Sequence, residues 1–383
     1  MTKTLTSTAQ DIGRTLARET RHGIGNAADS ARQVAAGARK AARGGAGGGL
    51  KGWHVGALAA GLGLAASFFY VRAKTKQAEA ENPPQGRFVT VDGVRLHYIE
   101  RGSGPVLVLL HGNGVLSNDF EHSGLLDKAA EHYRVIAFDR PGFGYSERPR
   151  SKIWTPQAQA RLLHHALQEI GVDTAIVAGH SWGTLVALSM ALEVPGFVRG
   201  LVLLSGYYYP SLRADVPLAS GPAIPLLGDL MRYTVSPLVA RMIWRPLAKR
   251  MFWPQPVDPR FRELPPWLML RPGQLRASAA EAALMAPTAL ALAKRYPELR
   301  VPAVIIAGTK DKIVAFGHNS ERLDERLPHS ELQLQPGVGH MTHYADPDKV
   351  LAAVESIAAQ AGETIYRRNP KAEALARASE SGV

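Results

Sequence analysis

Gly179-His180-Ser181-Trp182-Gly183 sets a serine between two glycines. The apolar run Ala175–Ala178 before it predicts a strand, and the segment from Trp182 towards Glu193 predicts a helix. A serine on such a strand-to-helix turn can act as a nucleophile: small flanking residues let neighbouring backbone pass, and the helix N-terminus faces developing negative charge. The plainer role for Ser181 is a helix N-cap. A hydroxyl attacks well only when an imidazole takes its proton, and that imidazole needs a carboxylate to set its tautomer. Gly308-Thr-Lys-Asp311 follows the apolar run Val301–Ala307, and Gly337-Val-Gly-His340 follows a last run near Glu331–Leu334. Each places its side chain at the carboxyl end of a predicted strand, in the order Ser, Asp, His. His343 is the rival base.

The elements that must position these groups alternate. Arg87 to Arg101 predicts a hairpin turning at Asp92 and Gly93. Pro105–Leu110, Arg134–Phe138, Thr174–Ala178 and Val198–Leu204 are short apolar runs, as in strands buried on both faces. Between them Phe120–His132, Pro156–Ile170 and Trp182–Glu193 have helical length and pattern. This rhythm predicts a mostly parallel sheet flanked by helices, with its site beyond the carboxyl ends of the strands. It stops over 206–300, a stretch rich in proline with no clear strand, and resumes at Val301, ending in a helix near Asp348–Ala359.

With His111-Gly-Asn-Gly114, the Asp139-Arg-Pro-Gly-Phe-Gly-Tyr-Ser146 segment, the serine turn and the paired Asp311 and His340 segments in this order, the chain from about Arg87 to Gln360 resembles the α/β-hydrolase fold superfamily. The resemblance implies a helical cap inserted after the sixth strand. It implies Ser181 as nucleophile, His340 as base and then acid, Asp311 as the orienting carboxylate, and the backbone N–H groups of Asn113 and Trp182 as the oxyanion hole. Epoxide hydrolases and haloalkane dehalogenases of the cap-bearing type are similar too, but use Asp where this chain has Ser181. The Asp139–Ser146 segment reads as a tight turn that holds neighbouring loops, His180 as packing below the nucleophile, and His111 as bracing its loop. Tyr207, Trp253 and Trp267 are candidates to line the substrate pocket, with the cap's own small core as the plainer use of its large side chains.

The 383 residues carry net charge +12 and no cysteine. Thiol nucleophiles, disulfide frameworks and thiolate-bound metals are thereby excluded. Residues 1–80 hold twelve Lys or Arg against four acids, a net +8, so only +4 remains for the other 303 residues and no nucleic-acid groove is expected there. From Trp53 to Val71 no formally charged residue occurs, and a helix of that length reaches about 28 Å, near the thickness of a bilayer's hydrocarbon. Trp53 and Tyr70 suit its two interfaces, and Gly52 and Gly56 form a GxxxG through which two such helices could pair. Arg39, Lys40, Arg43 and Lys51 upstream outnumber Arg72, Lys74 and Lys76 downstream by one, which places the N-terminus in the cytoplasm.

The expected organisation is a basic arm over 1–52, disordered or on a membrane surface, a transmembrane helix over 53–71, a linker over 72–86, a hydrolase core over 87–205 and 301–362, a cap over 206–300, and a flexible tail over 363–383. The expected activity is hydrolysis of carboxylic esters of hydrophobic substrates by a membrane-anchored serine hydrolase, with no cofactor or metal. Cleavage of a carbon–carbon bond in a ring-cleavage diketone, or cofactor-free perhydrolase chemistry, fits the same triad. A membrane-tethered binding protein without turnover is the reading from another class.

Overall fold

Asp92, with φ 51°, and Gly93 turn the chain back on itself, so that β1 (Arg87–Val91) and β2 (Val94–Arg101) pair antiparallel, closing at Val91 and Val94. The computed structural model describes residues 52–211 and 219–362; the expected tail, and all of the expected arm but Gly52, lie outside the described residues. The apolar runs form β3 (Val106–Leu110), β4 (Arg134–Phe138), β5 (Ala175–His180), β6 (Val198–Leu204) and β7 (Ala303–Gly308), and the more polar, half-buried stretch Ser330–Gln335 forms β8 at the sheet edge. The eight strands form one sheet in the order β1-β2-β4-β3-β5-β6-β7-β8, antiparallel at β1/β2 and β2/β4 and parallel elsewhere.

Alternate residues of each central strand enter different cores. Val108 and Leu110, Val177, Leu203 and Ile305 join one apolar cluster. Leu107 and Leu109, Ile176, Val202, Leu204, Val304 and Ile306 join the other. A strand with both faces covered must be apolar at every position, which is why the runs are continuous. Each side chain so buried contributes about 1.5–3 kcal/mol.

Helices of six or more described residues are numbered α1 (Gly52–Glu81), α2 (Leu125–Ala130), α3 (Pro156–Glu169), α4 (Trp182–Glu193), α5 (Leu227–Tyr233), α6 (Ser236–Phe252), α7 (Pro272–Ala293) and α8 (Pro347–Gln360). The helix expected over Phe120–His132 is two short ones, Asp119–His122 and α2, because Gly124 between them takes a left-handed φ of 81°. Thr155 caps α3, its hydroxyl accepting from Ala158 N–H at 3.2 Å, with Pro156 at the first helical position.

The chain divides into two compact units. The sheet unit comprises residues 84–220, 244–264 and 277 onward, and so takes in part of the insertion between β6 and β7. The other unit joins the N-terminal segment through Pro83 to 221–243 and 265–276. In it α1 does not stop at Val71, where the apolar run ends. It continues to Glu81 through Lys74, Lys76, Gln77, Ala78 and Ala80, all good helix formers, and ends just ahead of Pro83-Pro84. The stretch expected as a linker is therefore helical over most of its length. Ser67 Oγ donates to Thr234 O at 2.7 Å, Arg271 Nη1 pairs with Glu79 at 3.0 Å, and the Tyr70 and Trp267 rings meet edge to face. Among the described residues α1 is the one helix long and apolar enough to cross a membrane.

Candidate active site

β3 is the strand at which chain order reverses. β4 lies on one side of it and β5 on the other, so the loops leaving β3 and β5 diverge from neighbouring strand ends and leave a crevice between them. Ser181 stands at the end of β5 with φ 51° and ψ −116°, a backbone conformation that costs a non-glycine residue energy and must be held by its surroundings. Its N–H donates to Leu204 O at 2.8 Å, and its own carbonyl accepts from Thr184 N–H at 3.1 Å and Thr184 Oγ1 at 2.6 Å. Gly183 lies so close to β3 that a Cβ there would fall 2.0 Å from Leu110 O. The backbone of Gly112, in the loop after β3, passes beside the serine: a Cβ built on it would sit 3.2 Å from Ser181 Cβ.

His340 Nδ1 lies 2.7 Å from Asp311 Oδ2. Asp311 Oδ1 also accepts N–H groups of Ile313 at 2.7 Å and Val314 at 2.9 Å. The carboxylate is thus held by its own loop, and it fixes the imidazole with Nδ1–H towards it and Nε2 as the basic nitrogen. His340 N–H donates to Met251 O at 2.7 Å, which ties its loop to the end of α6. His180 Nε2 donates to His340 O at 3.2 Å. Burial pushes the His180 imidazole well below its ordinary range, helped by the neighbouring His343 and His340 rings, so it serves this contact neutral.

His343 is elsewhere engaged. It is fully buried, with Nε2 2.9 Å from Asp119 Oδ2, and Tyr344 Oη donates to the other oxygen of that carboxylate at 3.0 Å. His340 and His343 therefore each have a carboxylate partner, Asp311 on the loop after β7 and Asp119 at the start of the short Asp119–His122 helix. Asp119, His180 and His343 bring one ligand atom each within 4.8 Å of one another, the spacing of a metal site. Both Asp119 oxygens are already spent on hydrogen bonds.

Trp182 is the first residue of α4, where a backbone N–H has no carbonyl in a preceding turn to bond. Asn113 is tied through its side chain: Nδ2 donates to Ser278 O at 3.0 Å and Oδ1 accepts from Ser278 Oγ. Tyr207 is buried with Ala289 and Val314, and its Oη accepts from Ser211 N–H at 2.7 Å. Trp253, 47% exposed, lies under Lys312 Nζ at 3.7 Å. Trp267 faces Tyr70 of α1.

The family model of the alpha/beta hydrolase fold matches residues 105–347. This chain belongs to that family. Over 281 residues the hydrolase is 28% identical to haloalkane dehalogenase 2 of Mycobacterium tuberculosis (strain ATCC 25618 / H37Rv), covering 71% of this chain and 94% of the relative. Over 295 residues it is 28% identical to 2-hydroxymuconate semialdehyde hydrolase of Pseudomonas putida, covering 74% and 98%. The crystal structure of a membrane phospholipase A shares the fold with a TM-score of 0.57 at 23% identity, covering 80% of this chain and 96% of that one.

The hydrolase also holds a buried network that its sequence does not announce. Arg140, in the Asp139–Ser146 turn, donates to His111 O at 2.8 Å, Gly112 O at 3.0 Å and Gln159 Oε1 at 3.0 Å, and pairs with Glu281 of α7 at 2.5 Å. Asp139 accepts from His97 Nδ1, Tyr145 N–H, and Ser117 through both its N–H and its hydroxyl. Burial works to raise the Asp139 carboxyl, but these bonds and the His97 charge outweigh it and hold the group below its usual range. The turn holds loops together, as its sequence suggests. Glu281 and Ser278, the partners from α7, lack any local signal: they lie amid an Ala-rich helix, and only the three-dimensional approach to Arg140 and Asn113 marks them.

Proposed function

We propose that this chain is a membrane-anchored serine hydrolase that cleaves carboxylic esters of hydrophobic substrates. The observation that carries this reading is the backbone of Ser181, held at φ 51° on the turn between β5 and α4 beside the Gly112 backbone. Strain of this kind at a serine is understandable if its hydroxyl must stand clear of the sheet. In the proposed reaction His340 Nε2 takes the Ser181 proton as Oγ attacks the ester carbonyl. The oxyanion is bound by the N–H groups of Trp182 and Asn113. His340 passes its proton to the departing alcohol; a water, deprotonated in turn by His340, attacks the acyl carbon, and His340 returns that proton to Ser181 Oγ as the acid leaves. Asp311 stays ionised throughout and stabilises the imidazolium.

Halide displacement, named for the mycobacterial relative, is disfavoured because Ser181 offers a hydroxyl where such chemistry uses a carboxylate. Carbon–carbon cleavage is the second reading, favoured by the likeness to the semialdehyde hydrolase along 98% of that protein. The anchor is proposed on α1: only 6% of its apolar window is buried, which sets it apart from a core helix. Its upstream basic residues argue for a cytoplasmic N-terminus and a hydrolase domain on the far side.

A fluorophosphonate probe should label the wild type and not Ser181→Ala, and ester turnover should fall by about ten-thousandfold or more in the folded variant. Turnover within tenfold of wild type would remove Ser181 from the mechanism. Wild type that stays unlabelled and turns over neither esters nor diketones would point to a binding protein.

A further inference from the structure

α5 and the first half of α6 are built inside out. Leu226 (84% exposed), Leu227 and Leu230 point outward from α5 and its approach, while its arginine, Arg232, is only 3% exposed and pairs with Asp229. In α6 Val239, Met242 (77% exposed) and Ile243 recur at i, i+3 and i+4, which places them in one outward stripe. A helix in water does the reverse, turning leucine inward and arginine outward.

The end of α5 and the turn into α6 lie against α1 within the same unit. Thr234, between α5 and α6, accepts the Ser67 hydroxyl, and the Tyr233 and Phe68 rings are 6.1 Å apart. Ser67 is four residues, or about 6 Å, short of Val71, where the uncharged run ends. If α1 crosses a bilayer, Tyr233 and Thr234, which touch it at Phe68 and Ser67, lie near the boundary between headgroups and acyl chains, and α5 and α6 lead away from that point. Interfacial helices bury their apolar faces about 5–10 Å into that layer. α1 itself exposes Leu58 and Phe69. A bilayer would cover the apolar surfaces of α1 and of 224–243 with one continuous phase.

We propose that residues 224–243 form an interfacial element that inserts its apolar stripe into the leaflet from which the C-terminal end of α1 emerges. The depth assigned rests on the proposed span. The chain has no cysteine, so single labels can be placed without other changes. An environment-sensitive fluorophore is attached to the full chain carrying Leu226→Cys, Met242→Cys, Leu58→Cys or, as an exposed site on the sheet unit, Glu169→Cys. Each is reconstituted in phosphatidylcholine vesicles with or without lipids bearing a doxyl quencher near the headgroup or deep in the chain. Labels at 226 and 242 should shift to the blue and lose intensity most to the shallow quencher. The label at 58 should respond most to the deep one, and the label at 169 to neither. Quenching at 58 with none at 226 and 242 overturns the interfacial element while leaving the span. Quenching at 226 and 242 with none at 58 overturns the span, and with it the proposed depth, and leaves a surface-bound helix pair. Disulfide crosslinking between copies at 242 without lipid quenching assigns the stripe to a second copy and overturns the proposal.

Discussion

Arg140 Nη1 lies 2.5 Å from Glu281 Oε1, with both side chains wholly buried. The same guanidinium holds the carbonyls of His111 and Gly112, so a carboxylate on α7 neutralises the cation that shapes the loop ahead of Asn113. Removing it strands a charge in a low dielectric. Glu281→Ala should cost about 3–5 kcal/mol of stability, read from urea midpoints. A shift of less than about 1 kcal/mol would mean that water or another group takes over the pairing.

His340→Ala and His343→Ala should fail in different ways. The first removes the proposed base and should lower kcat by about ten-thousandfold with little loss of stability. The second leaves Asp119 buried without its imidazole and should lower the unfolding midpoint while folded protein keeps activity within tenfold. Should His343→Ala destroy kcat in folded protein while His340→Ala spares it, the base has been misassigned.

Gly183→Ala tests the packing that supports the serine turn. The added methyl would fall 2.0 Å from Leu110 O, a backbone atom of β3 that cannot yield cheaply. A destabilisation of about 3 kcal/mol or more, or folded protein without fluorophosphonate labelling, is expected. Wild-type labelling and stability together would show that the strand and helix can separate.

Acid should weaken the fold before it titrates the carboxylates. His111 Nε2 accepts the Arg140 N–H at 3.0 Å and its Nδ1 donates to Gly112 O at 2.7 Å, an arrangement only the neutral ring can make. Burial, with the Arg140 charge beside it, pushes this imidazole down to about 3. The unfolded ring binds a proton near pH 6.5, so between about pH 6.5 and 3 the unfolded chain holds the extra proton and stability falls as pH drops. Above about pH 6.5 this contribution is complete and constant. His180, also held below its ordinary range, adds to the same slope. Denaturant midpoints that stay level from pH 7 to 5 would contradict it.

The strands ahead of Ser181, Asp311 and His340 were legible in the sequence, because continuous apolar runs mark the buried parallel strands β5 and β7 and because each of the three residues follows its strand within five residues. Short-range order of that kind is written in neighbouring residues. The break at Gly124 and the extension of α1 to Glu81 were local as well, set by a left-handed glycine and by helix formers ahead of two prolines. The partners of the site were not. Ser278 and Glu281 reach Asn113 and Arg140 across more than a hundred residues of chain, and Asp119 reaches His343 across more than two hundred. No periodicity relates such positions. Nor could the sequence say which side of α5 faces inward, since Leu226, Leu230 and Arg232 describe an amphipathic helix with either face buried. In the structure Thr234 and Tyr233 touch α1 while Arg232 is buried and the leucines are exposed, since the direction of a helical face depends on what lies beside it.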